Sequence, residues 1–177
     1  IPVVKRDLPR ARQLLAEAGH ADGIDLTMEF RDGRRGEEIA RQLGEAGIRV
    51  TLRSGPWNEV FARLRAGQIA FYFGGISAPT ADASDVLDSF LHTREVEQGY
   101  GSTNYTGYSN PALDELIEAS AASRDMAARR GLLQRALRIP TEGLYHVPLF
   151  VPYDLYGMRT DVLWEPRLDR LLLGAEM

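Results

Sequence analysis

Three stretches decide the fold class: Ile24-Asp25-Leu26-Thr27-Met28-Glu29-Phe30, Ile48-Arg49-Val50-Thr51-Leu52-Arg53 and Ile69-Ala70-Phe71-Tyr72-Phe73. The first two alternate apolar and polar residues with period two, the pattern of a strand with one buried face. The third is a continuous apolar run of strand length, as in a strand covered on both faces. Between the first two, Glu37 to Ala46 brings Ile39, Leu43 and Ala46 to one helical face, with a Glu37–Arg41 pair outside. Between the second and third, Ser54-Gly55-Pro56 starts a helix, with Ser54 the candidate cap and Pro56 in the first turn. Trp57, Val60, Phe61 and Leu64 form its apolar stripe, and Gly67 closes it. The order β-α-β-α-β with short connections predicts an α/β fold with a parallel or mixed sheet. Strands 24–30, 48–53 and 69–73 are expected to be neighbours in that sheet, flanked by helices 37–46 and 56–66.

Outward from this unit, Asp7 caps a helix with Pro9 in its first turn and Ala11, Leu14, Leu15 and Ala18 on one stripe. Gly19 supplies its left-handed end. Arg31 to Gly36 reads as a loop, and Gly74 to Asp85 as a loop of small residues. Asp85 to Leu91 reads as a short helix, and Arg94 to Tyr108 as an irregular polar and aromatic stretch. Asn110-Pro111 opens a helix carrying Leu113, Leu116 and Ile117. Ser123 caps another that Pro140 stops after Ile139. Tyr145–Val151 and Asp154–Arg159 are predicted strands. After Asp161 the chain is irregular and ends in Leu171-Leu172-Leu173. No internal repeat or low-complexity segment is present.

The chain has 177 residues, room for one domain, or one domain with an appendage. It is 44% hydrophobic and 26% charged, an ordinary globular balance. No run approaches the ~18–20 apolar residues of a membrane helix. Twenty-one basic and 25 acidic residues give a net charge of −4, without the basic face that nucleic acid requires. The absence of cysteine excludes disulfides, zinc–thiolate sites and cysteine nucleophiles. The first residue is Ile1, and no signal peptide is readable.

His20, His92 and His146 lie in different elements, with no pair at metal-ligand spacing, so no metal and no cofactor is implied. Phosphate-loop, dinucleotide and nucleophile-elbow motifs are absent. Asp82, Asp85 and Asp88 follow at i,i+3, a spacing that suits helix capping more readily than a ligand. Two loops are informative. Gly74-Gly75-Ile76-Ser77-Ala78-Pro79 follows the most apolar strand, where ligands sit in open α/β sheets, and its glycines permit close backbone approach. The second loop holds Tyr100, Asn104, Tyr105 and Tyr108, a set suited to gripping a polar solute without charge. The alternative is that these tyrosines pack as staples within the loop.

One series of residues carries a resemblance. It begins with Leu-Leu-Ala-Glu-Ala-Gly (Leu14 to Gly19), Asp22-Gly23-Ile24 and Leu43-Gly44-Glu45-Ala46-Gly47-Ile48-Arg49-Val50. It continues through Trp57 with Leu64-Arg65-Ala66-Gly67, then Asp82-Ala83-Ser84-Asp85. It ends with Asn104-Tyr105-Thr106-Gly107-Tyr108-Ser109-Asn110-Pro111, Asp114 and Val147-Pro148-Leu149-Phe150. In order and over nearly the whole chain, this resembles the carboxy-terminal part of the dipeptide/oligopeptide/nickel class of extracellular solute-binding proteins, the capture subunits of bacterial ABC importers. The resemblance implies a periplasmic-binding-protein-like lobe, one half of a two-lobe clamp in a polypeptide roughly three times longer. It makes this chain a fragment: one ligand-binding lobe over 1–160, and a tail over 161–177 returning to the other lobe. It implies a periplasmic or lipid-anchored extracytoplasmic location, with ABC permease subunits and a small solute, such as a peptide, as partners.

The expected ligand-binding residues are Gly75, Ile76, Ser77, Ala78, Pro79, Asp82, Asn104, Tyr105 and Tyr108. Where oligopeptide-binding members carry a basic residue, a Trp and an Asp that holds the peptide's amino group, this chain has Phe73, Ile76 and Pro79. Asp82 matches a second acidic position common in the family. A non-peptide solute (sugar, opine or nickel chelate) or chemoreception is the first alternative. A small α/β enzyme is the second, and it lacks an evident catalytic set, since Ser77 has no histidine near it in sequence.

Overall fold

The computed structural model describes residues 5–30 and 33–167, which form parts of two compact units, Ile1–Gly75 and Ile76–Met177. In the first, α1 (Leu8–Glu17) is followed by β1 (Ile24–Phe30), α2 (Gly33–Ala46), β2 (Ile48–Ser54), α3 (Trp57–Arg65) and β3 (Tyr72–Phe73). The strands form one parallel sheet in the order β2-β1-β3, with Ile24 opposite Ile48, Phe30 opposite Ser54, and Phe30 opposite Phe73. The sheet is the one its apolar periodicity demands. Met28, Phe30, Ala46, Val60 and Leu64 are buried apolar residues of this unit. The Asp7 carboxylate caps α1 by accepting from the Arg10 amide at 2.9 Å, and Gly19 takes the left-handed conformation at φ +87°.

Several local readings change. β3 spans two residues rather than five, because the chain bends at Ala70 and Phe71 before it reaches the ladder. Its residues are half-buried in this unit, not covered on both faces. Helix α2 starts at Gly33, inside the expected loop, and Arg41 pairs with Glu38 and Glu45 instead of Glu37. Ser54 closes β2, and α3 begins after Pro56 without a side-chain cap. Gly23 is obligatory: at φ +88°, a Cβ there would lie 2.2 Å from the Gly47 carbonyl oxygen, which accepts from the Ile24 amide.

In the second unit, α4 (Ser84–Val86) runs into a π-helical turn over Leu87–Leu91, the expected short helix wound more loosely. A 3₁₀ turn (Val96–Gln98), α5 (Pro111–Ala122) and α6 (Met126–Glu142) follow. Leu87, Leu91, Tyr108, Leu113, Ile117, Leu133 and Ala136 form the core, with Phe90, Tyr100 and Leu137 packed against it. Asn110 caps α5 as expected, accepting from the Leu113 amide. The cap of α6 is Asp125, not Ser123, and it accepts from the amides of Ala127 and Ala128 at 2.7 and 3.1 Å. Pro140 does not stop α6, which continues to Glu142. Within the same turn the Thr141 hydroxyl donates to the Leu137 carbonyl at 2.7 Å. Tyr145–Val151 and Asp154–Arg159 form no strand among the described residues. Leu171 to Leu173 lie outside them. No helix of the described residues is long and apolar enough to cross a membrane.

Candidate functional site: the Gly75–Asp82 loop and the tyrosine loop

The Gly75–Asp82 loop begins two residues after β3, and the boundary between the units falls between Gly75 and Ile76. Ile76, Ser77, Ala78 and Pro79 are exposed. Beyond them the loop is tied internally. The Ala81 amide donates to the Ala78 carbonyl at 3.0 Å, with Ala81 left-handed at φ +57°. Asp85 accepts from the Thr80 amide and hydroxyl at 2.9 and 2.7 Å. Asp82 accepts from the Ser84 amide at 2.9 Å and from both terminal nitrogens of Arg129, on α6, at 2.7 and 2.9 Å. The carboxylates of Asp82 and Asp85 are thus engaged with loop, cap and arginine. Asp88 differs: one carboxyl oxygen is buried without a hydrogen-bond partner, and burial pushes its pKa up.

The Arg129 hydrogen bonds, and then the Ser84 amide, hold the Asp82 carboxyl well below its ordinary 3.8. A depressed acid contributes stability that is present above its unfolded value and lost as pH falls through the folded one. We therefore expect acidification below about 3.8 to begin releasing the loop from α6. Arg129→Leu should lower stability only slightly, because the pair is partly exposed to solvent. It should also raise the Asp82 titration midpoint toward 3.8, measured by carboxyl NMR. An unchanged midpoint would contradict the geometry.

The second loop is built around one amide. Asn104 is buried, and its Nδ2 donates to the carbonyls of His92 and Tyr108 at 2.9 and 2.7 Å. Its Oδ1 accepts from the Thr106 hydroxyl at 3.1 Å. Tyr108 lies in the core with its ring 4.3 Å from that of Tyr145, and burial raises its pKa. Tyr100 stacks on His92 at 4.1 Å, and the His92 ring nitrogens lie 2.7 Å from the Thr93 carbonyl and 3.2 Å from Glu118. Tyr105 is half-buried, with the Arg94 guanidinium 5.9 Å from its ring. Asn104 and Tyr108 are therefore brought together, and together with Tyr100 they act as internal staples; Gly75 to Pro79 are the exposed members of the expected set.

Sequence reading missed two features. Glu29, expected on the wet face of β1, is buried between Arg53 of β2 at 3.4 Å and Arg63 of α3. Strict alternation signals nothing there, because the two arginines that engage Glu29 lie 24 and 34 residues away in sequence. Arg129, which nothing in the sequence singles out, is the partner that fixes Asp82. Two shallow depressions lie in the first unit, one near Arg12, Leu15 and His20, the other alongside Thr27, Glu29 and Arg53. Neither includes a residue of either loop. Among the described residues, no three histidine or carboxylate side chains gather to hold a metal.

Solved structures share this fold. The periplasmic binding protein DppA from Helicobacter pylori, in complex with the peptide STSA, matches with a TM-score of 0.71 and 23% identity, over 79% of this chain and 28% of that one. AgaA from A. tumefaciens R10, in complex with agropinic acid, matches with a TM-score of 0.66 and 20% identity, over 77% of this chain and 28% of its own. Both place the chain in the periplasmic-binding-protein fold. Among curated relatives, di/tripeptide-binding protein 4 of Pseudomonas aeruginosa is 26% identical over 166 residues, 89% of this chain and 30% of its own length. Protein XP55 of Streptomyces lividans is 28% identical over 152 residues, 75% of this chain and 27% of its own length. The chain thus spans less than a third of the curated relatives it matches. Residues 2–98 match the family described as bacterial extracellular solute-binding proteins, family 5 Middle, and the chain belongs to that family.

Proposed function

We propose that this chain is the carboxy-terminal lobe of the substrate-binding component of an ABC-type importer, taking up a peptide or peptide-like solute. The lobe spans 1–160, and 161–177 is the tail that returns to the other lobe. The protein works outside the inner membrane, delivers its solute to permease subunits and performs no chemistry on it. The observation that carries this reading is the family match over residues 2–98, joined by relatives named for di- and tripeptide binding.

Gly75, Ile76, Ser77, Ala78, Pro79, Asp82, Asn104, Tyr105 and Tyr108 are the proposed ligand-binding region, with unequal roles. The exposed residues from Ile76 to Pro79 offer backbone and apolar surface. Asn104 and Tyr108 shape the second loop from inside. Pro79 has neither a charge nor an amide to offer, and Asp82 is held by Arg129. A free carboxylate for a ligand ammonium is absent from this loop, and a desolvated ammonium needs one. The loop therefore receives a ligand end that is neutral. This feature also favours the second reading, a non-peptide solute, of which the agropinic acid bound by AgaA is an example.

The test is calorimetric titration of the whole polypeptide with a di- or tripeptide, its amino terminus free and then acetylated. Acetylation is expected to change affinity by less than tenfold, ~1.4 kcal/mol. A much larger loss, reproduced by Asp82→Ala with the free peptide, would show that Asp82 holds the amine.

A further inference from the structure

The turn at Leu87–Leu91 is wound one residue wider than an α-helix. The amide that closes it, that of His92, donates to the Leu87 carbonyl at 2.9 Å, five residues back. In α-helical register the same amide would reach the Asp88 carbonyl, and the Thr93 amide would reach that of Ser89. Both amides are directed elsewhere, the second to the Asp114 carboxylate on α5 at 2.9 Å.

The two backbone carbonyls so released receive the tyrosine loop. That of Asp88 accepts from the Gly101 amide at 2.7 Å, and that of Ser89 accepts from the Thr103 amide and hydroxyl at 2.8 and 2.9 Å. Gly101 is buried there, and a Cβ on it would lie 2.5 Å from the Arg94 Cα. The next anchors come from the same turn: Tyr100 stacks on the His92 ring, and Asn104 donates to the His92 carbonyl. Returning the turn to α-helical register would take both carbonyls from Gly101 and Thr103. Melting the loop would strand the same two carbonyls, and a polar group left unpaired costs more than the net worth of its bond.

We propose that the π turn and the tyrosine loop are one cooperative unit, in which the wide register of the turn seats the loop and the loop in turn holds that register. The loop's position is therefore set by the turn that precedes it as well as by its own residues. The unit bears on solute capture through the proposed function, in which the tyrosine loop belongs to the binding region.

Residue-resolved hydrogen exchange on the whole polypeptide, without solute, tests it by comparing the parent with Thr103→Val and Thr103→Ser. Valine keeps the shape and removes only the hydroxyl bond to the Ser89 carbonyl. In Thr103→Val the amides of His92, Thr93 and Gly101 are expected to exchange about fivefold faster, in concert, as the loss of one hydrogen bond from a shared opening requires. Thr103→Ser should restore the parent rates. The Gly143 amide, which donates to the Ile139 carbonyl of α6, should keep its rate in both. Faster exchange at Gly101 with His92 and Thr93 unchanged would overturn the proposal, since turn and loop would then open separately. Unchanged rates at all three, or a uniform rise that includes Gly143, would overturn it as well. Because no solute is present, each of these failures leaves the proposed function standing.

Discussion

Ile117→Ala is expected to lower the stability of the second unit by about 2–5 kcal/mol, the range for large-to-small changes in a closed core. Ile117 has no solvent exposure and sits in the cluster that α5 and α6 build with the π-helical turn. The change deletes three carbons, worth about 0.8 kcal/mol each in transfer terms. The remainder is the cavity, and little can collapse into it. Leu113 and Leu133 are fixed on their own helices, and Leu87 and Leu91 are held by the π turn, whose end is closed by the His92 amide donating to the Leu87 carbonyl at 2.9 Å. Urea unfolding should show a lower midpoint with an unchanged slope. Leu14→Ala, at a position 48% exposed on α1, should stay within about 0.5 kcal/mol of the parent. Equal losses at the two positions would contradict the assigned core.

Asn104→Ala is expected to cost about 2–4 kcal/mol, because it strands two carbonyls at once. Those of His92 and Tyr108 both accept from the one buried amide, which Asn104→Ala removes. Asn104→Asp should be nearly as damaging, since an ionised carboxylate accepts only and would face both carbonyl oxygens. The readout separates a framework role from a direct ligand contact. If Asn104 touches ligand without supporting the loop, affinity falls and unfolding is unchanged. If it supports the loop, stability falls in the absence of any solute, as the geometry requires.

Legibility in the sequence tracked the range of the forces involved. β1 and β2 follow from alternation, which is local and strong, and so do the caps at Asp7 and Asn110. The apolar run of β3 points to the right sheet, but the strand's length depends on where the chain bends, which composition does not record. The failure at 145–159 has the opposite cause. The strand pattern is present in the residues, but a strand is defined by its neighbour, and the described residues provide none. Pro140 shows the tertiary override of a breaker: it is buried, and the helix runs through it. In the candidate site, the glycine and tyrosine loops were visible from their composition. The internal engagement of Asp82 and Asn104 was not, because Arg129 lies 47 residues from Asp82 and the carbonyl of His92 lies 12 from Asn104.

The central claim is that the protein captures a solute without transforming it. The most direct measurement is a calorimetric titration of the whole polypeptide against a panel of di- and tripeptides and non-peptide solutes. Each ligand is recovered afterwards and weighed by mass spectrometry. The account predicts saturable one-to-one binding of one solute class and recovery of that ligand at its original mass. Conversion of any bound solute to product, or the absence of saturable binding across the panel, would contradict it.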